Sequence, residues 1–380
     1  MKEIFKKKNE IQNKALNTWR DNNYNSILAM CTGSGKSRCG ILASKFVVKD
    51  NKEANILLIV PTETLRDVNW KDEFEQWDSI DIYNNNVRRS CYVSINKIEN
   101  EEFDLVIMDE CHRITENSYE FFIKNKVHKI IGLTATPPED DIKKDILYKN
   151  LNLKISFNYP LEQGVKDGVV APFDIKVVEL NLSTKKDYVV KTKAKTYTTS
   201  EEARYKALTR VINQMMFSGK DVPVYMYLNR MRFLYDLPSK TDIAKKIIES
   251  KFEDKERYLI FSGSIHQANT LCKYRYHSKT DNADLIKLKE GKINSLSCVK
   301  ALNEGENIPK LDSALIVQVT SKELDLIQRV GRVVRVREGH RATIWILSVL
   351  NTQDEKWVEK ALENFNKDSI EYINIKNLKI

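Results

Sequence analysis

A glycine-rich run at positions 30–37 has the residue types needed to bind the phosphates of a nucleotide. It reads Met-Cys-Thr-Gly-Ser-Gly-Lys-Ser, and Gly33 and Gly35 let the backbone turn so that successive N–H groups face an anion. Lys36 supplies a positive charge to the same oxygens, and the Ser37 hydroxyl suits Mg²⁺. The predicted nucleotide-binding residues here are Thr32, Gly33, Ser34, Gly35, Lys36 and Ser37. An ordinary glycine-rich turn before a helix is the alternative interpretation.

Two adjacent carboxylates, Asp109 and Glu110, form the second chemical feature. They follow the apolar run Leu-Val-Ile-Met at 105–108, which predicts a buried strand. In a parallel α/β sheet, ligands bind at the carboxyl ends of the strands, where these two residues fall. We expect Asp109 to hold Mg²⁺ through water and Glu110 to activate the attacking water. Together with the glycine-rich loop, they predict hydrolysis of a nucleoside triphosphate; a charged turn at a strand end is the alternative.

The elements that position these residues alternate between apolar strands and helical patterns. A strand at 27–30 and a helix at 36–49 flank the loop. This alternation recurs in two series, which predicts an α/β protein with two parallel-sheet lobes, 1–170 and 171–380. The predicted strands are 55–60, 91–95, 105–108 and 129–133 in the first lobe, and 258–261, 294–299, 314–319 and 341–350 in the second. Residues from about 182 to 255 fit neither series and predict a helical accessory segment, with helices at 201–217 and 242–252.

Four motifs in a fixed order resemble the DEAD/DEAH-type helicases of superfamily 2. Asp-Glu-Cys-His at 109–112 follows the phosphate loop, and Gly-Leu-Thr-Ala-Thr-Pro-Pro at 132–138 and Gln-Arg-Val-Gly-Arg-Val-Val-Arg at 328–335 come later. The match runs over nearly the whole chain. The resemblance implies two tandem RecA-like lobes and an ATPase that uses ATP and Mg²⁺. Within the family, the motifs look most like DNA repair and branch-migration helicases, including the UvsW-type enzymes of phages.

The resemblance also implies roles for individual residues of the first lobe and for backbone contacts in both. Gln12 would hydrogen-bond adenine. Thr134 and Thr136 would link hydrolysis to movement of the lobes. The residues implied to contact the nucleic-acid backbone are Pro61, Thr62, Ser94, Phe261, His277 and Ser278.

In the second lobe, the resemblance implies residues that complete the ATP site. Arg332 and Arg335 would be arginine fingers, and Gln328 shares their helix face at spacings of three and four residues. Such a finger contributes roughly 10³ to 10⁵ in rate. Gly305 and Asn307 lie in a stretch that resembles the family's nucleotide-contacting segment. Hydrolysis would then depend on closure of the two lobes.

Composition indicates a soluble globular protein, and its charge, beside the motifs, supports a nucleic-acid partner. The 380 residues are 42% hydrophobic and 30% charged, and the formal net charge is +9. A basic surface attracts the phosphate backbone, and that attraction falls as salt rises. Six cysteines without a C-x-x-C pair, and no apolar stretch typical of a signal peptide or membrane span, predict reduced thiols and a cytoplasmic protein, in the host cytoplasm if a phage encodes it. We expect a monomer or a loosely associated protein.

Alternatives remain open at this point. DNA is favoured over RNA, and an RNA helicase is the second interpretation within the class. A third is the motor subunit of a restriction complex whose nuclease lies on another chain. A fourth is a scaffold that binds nucleic acid and uses ATP only as a conformational ligand. Bases and aromatics interleave at Lys185, Lys186, Tyr188, Lys191, Lys193, Lys195 and Tyr197, which indicates either a strand contact or a solvated lysine-rich loop.

Overall fold

The computed structural model describes residues 2–138, 140–191, 195–252, 256–299, 308, 311–319, 341–363 and 365–378. These residues fall into two compact units, the first ending at Pro172 and the second beginning at Phe173. Each unit is built on one parallel sheet with helices on its faces. The prediction of an α/β protein with two parallel sheets is therefore confirmed.

The first unit contains a six-stranded parallel sheet and a separate pair of short strands. Its strands are β1 (Asn25–Met30), β2 (Ile56–Val60), β3 (Val87–Cys91), β4 (Glu102–Phe103), β5 (Leu105–Asp109), β6 (Lys126–Val127), β7 (Ile130–Thr134) and β8 (Lys154–Tyr159). Its helices are α1 (Lys2–Asp21), α2 (Lys36–Asp50), α3 (Trp70–Gln76), α4 (Ile80–Asn85), α5 (Glu116–Lys124), α6 (Asp141–Lys144) and α7 (Leu161–Lys166). The sheet order is β3-β2-β5-β7-β1-β8, while β4 and β6 pair separately.

Four central strands of this sheet are buried along their length, which is why they appear in the sequence as continuous apolar runs. β7 lies between β1 and β5, with Ala29 opposite Thr134 and Asp109 opposite Leu133. The strand ends that carry the phosphate loop, Thr134 and Asp109 are therefore neighbours at one edge of the sheet.

The second unit has a seven-stranded parallel sheet and the accessory segment, which contributes a separate pair of strands. Its strands are β9 (Phe173–Leu180), β10 (Tyr188–Lys191), β11 (Thr196–Thr199), β12 (Tyr258–Phe261), β13 (Arg275–Tyr276), β14 (Ser295–Cys298), β15 (Ser313–Ile316), β16 (Ala342–Val349) and β17 (Ile370–Asn374). Its helices, in the described part of the chain, are α8 (Glu201–Phe217), α9 (Val224–Tyr235), α10 (Pro238–Lys251), α11 (Ile265–Leu271), α12 (Ala283–Lys289) and α13 (Gln353–Leu362). The sheet order is β13-β14-β12-β15-β16-β9-β17.

One predicted strand is wrong. The apolar run at 91–95 predicts the second strand of the first series, but β3 ends at Cys91 and a 3₁₀ turn follows at Ile95–Lys97. β3 is an edge strand whose Arg88 and Arg89 are exposed, so it lacks the apolar pattern of a buried strand. The apolar residues after it serve a turn, in which Val93 is 80% exposed.

The accessory segment is only partly helical. α8, α9 and α10 confirm the helical prediction, but β10 and β11 form an antiparallel hairpin before them. Tyr188, one of the interleaved aromatics, packs edge-on against Phe233 with ring centroids 5.3 Å apart. This ring therefore contributes to the accessory fold.

Two expectations concern features beyond the sheets. All six cysteines are free thiols, and five of them are buried. Within the described ranges, no helix combines the length and the apolar character needed to cross a bilayer.

Candidate functional site

The phosphate loop joins the end of β1 to the start of α2 in a tight turn. Gly33 and Gly35 have φ angles of 84° and 88°, in the left-handed region that favours glycine. Lys36 Nζ donates to the carbonyl of Met30 at 3.1 Å, so the lysine lies across the loop. No side chain caps α2, because Gly35 is its N-cap, and its first N–H groups face the loop. A helix start of this kind binds phosphate.

Gln12 on α1 holds the same loop in place. Its Nε2 donates to the carbonyl of Ser34 at 2.8 Å, and its Oε1 accepts from Arg38 of α2. Arg38 in turn lies over the Trp77 ring, 4.0 Å from its centroid. The resemblance implies that Gln12 contacts adenine, and the structure places its amide between the loop and the first turns of α2.

Asp109 lies at the end of β5 and is almost fully buried. Trp70 Nε1 donates to its Oδ2 at 2.8 Å, and the backbone N–H of Glu110 donates to its Oδ1 at 3.1 Å. Burial raises the pKa of Asp109 to about 7, with a further contribution from the nearby Glu110, while Trp70 and Lys36 oppose the shift.

Glu110 has the backbone geometry of a functional residue. Its φ of 49° and ψ of 54° lie in the left-handed region, which costs a non-glycine residue about 1 to 3 kcal/mol. Its Oε2 is buried and makes no hydrogen bond with any described residue. A strained carboxylate with a free oxygen at the sheet edge has the features expected of a group that orients water.

His112 connects this region to the two threonines after β7. Its Nδ1 lies 3.0 Å from Thr134 Oγ1, and that hydroxyl donates to the carbonyl of Thr136 at 2.5 Å. Because a hydroxyl has one hydrogen, Nδ1 must be the donor to Thr134. Burial lowers the pKa of His112 to about 4, so the ring is neutral at pH 7 with its lone pair on Nε2.

Several buried polar atoms at this edge lack a partner among the described residues. Such atoms are uncommon in native proteins and point to a ligand that satisfies them. The site atoms in question are Thr32 Oγ1, Glu110 Oε2, His112 Nε2 and Thr136 Oγ1. In the described part of the chain, no group of three or more His, Cys, Asp or Glu side chains could hold a metal alone. A site for Mg²⁺ with one carboxylate, one hydroxyl and the phosphates of a nucleotide fits this donor set.

The predicted backbone contacts of the first unit lie at the same edge of the sheet. Pro61 and Thr62 follow β2, and Ser94 follows β3, with Val60 and Cys91 paired in register. Thr62 is exposed, whereas Ser94 is half-buried and its hydroxyl donates to the carbonyl of Cys91 at 3.2 Å. A helical stretch leads from Thr62 to Trp70, so it joins this surface to the carboxylate of Asp109.

Of the three predicted contacts in the second unit, two are buried and one is exposed. Phe261 is 1% exposed, so its ring is part of the core, and its contact with the nucleic-acid backbone stays a prediction. His277 is also buried, with Nε2 3.2 Å from Asn269 Oδ1 and Nδ1 accepting from the Lys279 N–H at 3.3 Å. Burial lowers the pKa of His277, and the nearby Arg275 and Lys279 lower it further. Ser278 is exposed.

Five predicted site residues lie outside the described residues. They are Gly305, Asn307, Gln328, Arg332 and Arg335.

Sequence reasoning did not identify Trp70. The spacing of Trp70 and Phe74 on α3 indicates a core-facing helix, and both side chains are indeed buried. Nothing in that pattern shows that the indole N–H would reach a carboxylate 39 positions away.

Two segments of the chain match known protein families. Residues 2–139 match the family described as "Type III restriction enzyme, res subunit", and residues 239–337 match "Helicase conserved C-terminal domain". The chain carries the two ATPase domains of a superfamily 2 helicase. The prediction of an ATPase of this class is confirmed.

Relatives of this chain are distant. It is 24% identical over 387 residues to a viral chain named as helicase 22 of Sulfolobus islandicus filamentous virus (isolate Iceland/Hveragerdi), covering 92% of this chain and 65% of the relative. It is 22% identical over 350 residues to "DNA 3'-5' translocase XPB2" of Sulfurisphaera tokodaii, covering 85% and 77% of the two chains. The chain thus spans less than two thirds of the viral relative.

Solved structures share the fold. The helicase domain of Pyrococcus furiosus Hef has a TM-score of 0.53 at 15% identity, covering 92% of this chain and 96% of that one. The "ATP-dependent Type ISP restriction-modification enzyme LlaBIII bound to DNA" has a TM-score of 0.59 at 16% identity, covering 97% of this chain and 31% of that one. A point variant of S. cerevisiae Dbp5, "bound to RNA and ADP BeF3", has a TM-score of 0.58 at 13% identity, covering 96% and 89%.

Proposed function

We propose that this protein is a helicase that hydrolyses ATP to move along or unwind DNA, including branched DNA, during repair, recombination or replication. The observation that carries the proposal is the convergence of the phosphate loop, Asp109 and Thr134 on three neighbouring strand ends. The choice of DNA is supported by the relative named as a DNA translocase. The proposed UvsW-like role rests on the motifs alone.

In this proposal, the site residues of the first unit have separate roles in ATP hydrolysis. The loop N–H groups and Lys36 hold the phosphates, while Ser37 and Asp109 would hold Mg²⁺, Asp109 through water. Mg²⁺ neutralises charge that develops on the phosphate oxygens. Glu110, with its unpaired Oε2, orients the attacking water and accepts its proton.

Two connections lead away from this chemistry. The first runs from Glu110 through His112 to Thr134 and Thr136; His112 Nδ1 lies 3.5 Å from Glu110 Oε2. The second runs from Asp109 through Trp70 toward Thr62. We propose that a change in the carboxylate environment on hydrolysis is passed along both routes to the nucleic-acid contacts. Arg332 and Arg335 would supply the positive charge that hydrolysis needs from the second lobe.

Two substitutions test the ATPase assignment. Lys36→Ala should abolish ATP turnover because the phosphates lose their mobile charge. Glu110→Gln should keep ATP binding, since the amide has nearly the shape of the carboxylate, yet should remove turnover. Steady-state phosphate release and equilibrium binding of a fluorescent ATP analogue measure the two effects. Normal turnover in either variant would refute the assignment.

A comparison of polynucleotides tests the substrate. ATP turnover is measured with single-stranded DNA, duplex DNA, forked DNA and RNA at one stated salt concentration, because affinity depends strongly on salt. We expect the largest stimulation by DNA. Stimulation by RNA alone would overturn the choice of DNA and favour an RNA helicase.

A restriction motor is the second candidate. It is favoured by the res-subunit description of the family matched at 2–139. Such a motor would track intact duplex DNA without separating it, so forked and plain duplex DNA should stimulate ATP turnover equally. A pure ATP-gated scaffold would show no turnover with any polynucleotide.

A further inference from the structure

The second unit contains a groove that none of the helicase motifs line. It has a volume of about 680 Å³ and lies between one face of α8 and the residues that follow β9 and β16. β9 and β16 are parallel neighbours along their whole length. The groove therefore lies at the carboxyl ends of two adjacent strands, the edge at which α/β sheets bind ligands.

One wall of this α8 groove is a stripe of four side chains. Lys206, Arg210, Asn213 and Phe217 follow one another at spacings of four, three and four residues, which places them on one face of α8. At 1.5 Å per residue, the stripe is about 16 Å long. It presents two cations, an amide and an aromatic ring in that order.

The stripe is available to a ligand. Phe217 is 91% exposed, so its ring is accessible to a ligand. Lys206 is 73% exposed and pairs only on the surface with Glu202. Arg210 is exposed and forms no ion pair within the part of the chain that the structure describes.

Charge distinguishes between possible occupants. The α8–α9 hairpin, residues 201–235, has six basic and three acidic side chains. One of the acids, Glu201, is buried and accepts from the backbone N–H groups of Ser183 and Ser239. The exposed surface is thus more basic than the composition shows. Apolar groups of the groove come from Leu182, Tyr205, Phe217 and Leu350, and its charged side chains are Lys206, Arg210 and Glu202. The two cations favour a polyanion, and the apolar groups offer surfaces against which bases can pack.

We infer that the α8 groove binds a single strand of nucleic acid. Lys206 and Arg210 contact successive phosphates, and Phe217 stacks on an unpaired base. The inference rests on the proposed function, because it names a second contact of the same polynucleotide. It adds a sequence-independent preference for unpaired strands, since every base has a face on which to stack.

Binding of short oligonucleotides by fluorescence anisotropy, without ATP, tests the inference. The probes are an oligothymidylate and an abasic strand of equal length, which keeps the phosphates and lacks the bases. Phe217→Ala should weaken binding of the oligothymidylate about fivefold to about 150-fold, the equivalent of one stacked base. Its affinity for the abasic strand should stay unchanged.

A double substitution tests the phosphate contacts. Lys206→Ala with Arg210→Ala should weaken binding of both probes and reduce the slope of log affinity against log salt by about 1.4, or about 0.7 per phosphate. The matched controls are Tyr372→Ala, which removes a ring that is 54% exposed on β17, and Lys356→Ala with Lys360→Ala, two exposed cations four residues apart on α13. These controls should bind both probes like the unmodified chain.

The outcomes separate the inference from the proposed function. If the groove variants bind like the controls while DNA still stimulates ATP turnover, the inference is wrong and the proposed function stands. If Phe217→Ala weakens both probes equally, the ring does not stack and the inference fails. If the unmodified chain binds neither probe and no polynucleotide stimulates turnover, both fail. Circular dichroism of each variant confirms that it is folded.

Discussion

At the scale of single residues, the hydrogen bond from Trp70 to Asp109 is the contact with the clearest consequence. The indole donates to the buried carboxylate at 2.8 Å and fixes its orientation at the end of β5. A hydrogen bond to a charged group contributes about 1.5 to 3 kcal/mol. Trp70→Phe keeps the ring in the core but frees the carboxylate to rotate. We expect the Mg²⁺ concentration for half-maximal ATP turnover to rise about 10-fold, while turnover at saturating Mg²⁺ changes less.

Trp19→Phe is the matched control for that experiment. Trp19 is also buried in the first unit, and its Nε1 donates to the carbonyl of Ile130 at 2.9 Å. The free energy of unfolding should fall by about 1 kcal/mol in Trp19→Phe and by about 1.5 to 3 kcal/mol in Trp70→Phe, by urea denaturation. Only Trp70→Phe should shift the Mg²⁺ dependence. Equal shifts in both variants would show that the effect is one of general stability.

The two loop glycines give a second prediction. Both have positive φ, which costs alanine about 1 kcal/mol. A Cβ at Gly33 would meet nothing within 4 Å, whereas a Cβ at Gly35 would lie 2.2 Å from Gln12 Nε2. Gly35→Ala should therefore lower the free energy of unfolding more than Gly33→Ala does. Adding Gln12→Ala should recover part of the loss only in the Gly35→Ala background, as a double-mutant cycle in urea would show. Recovery in both backgrounds would rule out the clash.

At the scale of elements, a buried ion pair holds three parts of the second unit together. Lys240 of α10 donates to Asp354 of α13 at 2.8 Å and to Gln318, beyond β15, at 2.9 Å; Lys240 and Asp354 are fully buried. Burial lowers the pKa of Lys240, and Asp354 opposes that shift. Lys240→Met leaves a buried carboxylate without its cation. The free energy of unfolding should fall by about 3 to 5 kcal/mol in urea denaturation.

An exposed pair on the same sheet provides the control. Lys176 lies 3.8 Å from Glu371, at positions where both side chains reach solvent. Lys176→Met should cost about 1 kcal/mol or less. Asp354→Asn added to Lys240→Met should restore part of the stability, because no buried charge then remains. A comparable loss of unfolding free energy in Lys240→Met and Lys176→Met would mean that the buried pair stabilises the unit no more than the exposed pair does.

The elements also show how far the sequence predicts this molecule. Strands such as β5 and β12 are continuous apolar runs because both faces of a parallel sheet are buried, and the sequence predicts their positions to within a residue. The edge strands β3 and β8 were missed or misplaced because solvent on one side permits arginines and lysines. The hairpin β10–β11 was missed because it lies in an accessory segment that the helical pattern dominates.

The candidate site also contains residues that the sequence predicts and features that it does not. Loop glycines, Lys36 and the two carboxylates are predictable because phosphate chemistry requires those residue types next to each other in the chain. Trp70 and the tautomer of His112 depend on contacts between distant segments, across 39 and 22 positions. Burial of Phe261 and His277 likewise follows from packing of the sheet, which a motif does not record.

At the scale of the whole molecule, the net charge of +9 makes binding of nucleic acid depend on salt. For about four neutralised phosphates, a slope of about −0.7 per phosphate predicts that the DNA concentration for half-maximal ATPase stimulation rises roughly 50-fold from about 50 to about 200 mM salt. ATP turnover without DNA should change far less, because Asp109 is buried and Lys36 and Glu110 are half-buried, so that salt screens these charges less than it screens exposed ones.

Lys36→Ala tests whether the salt dependence of DNA binding is independent of ATP turnover. The lysine lies in the phosphate loop, so its loss should stop turnover and leave the salt slope of direct DNA binding unchanged. That slope reports the number of phosphates neutralised by the rest of the surface. A slope near zero for the unmodified chain would mean that its positive charge does not meet a phosphate backbone. The translocase proposal would then lose its substrate, even if the ATP site were fully active.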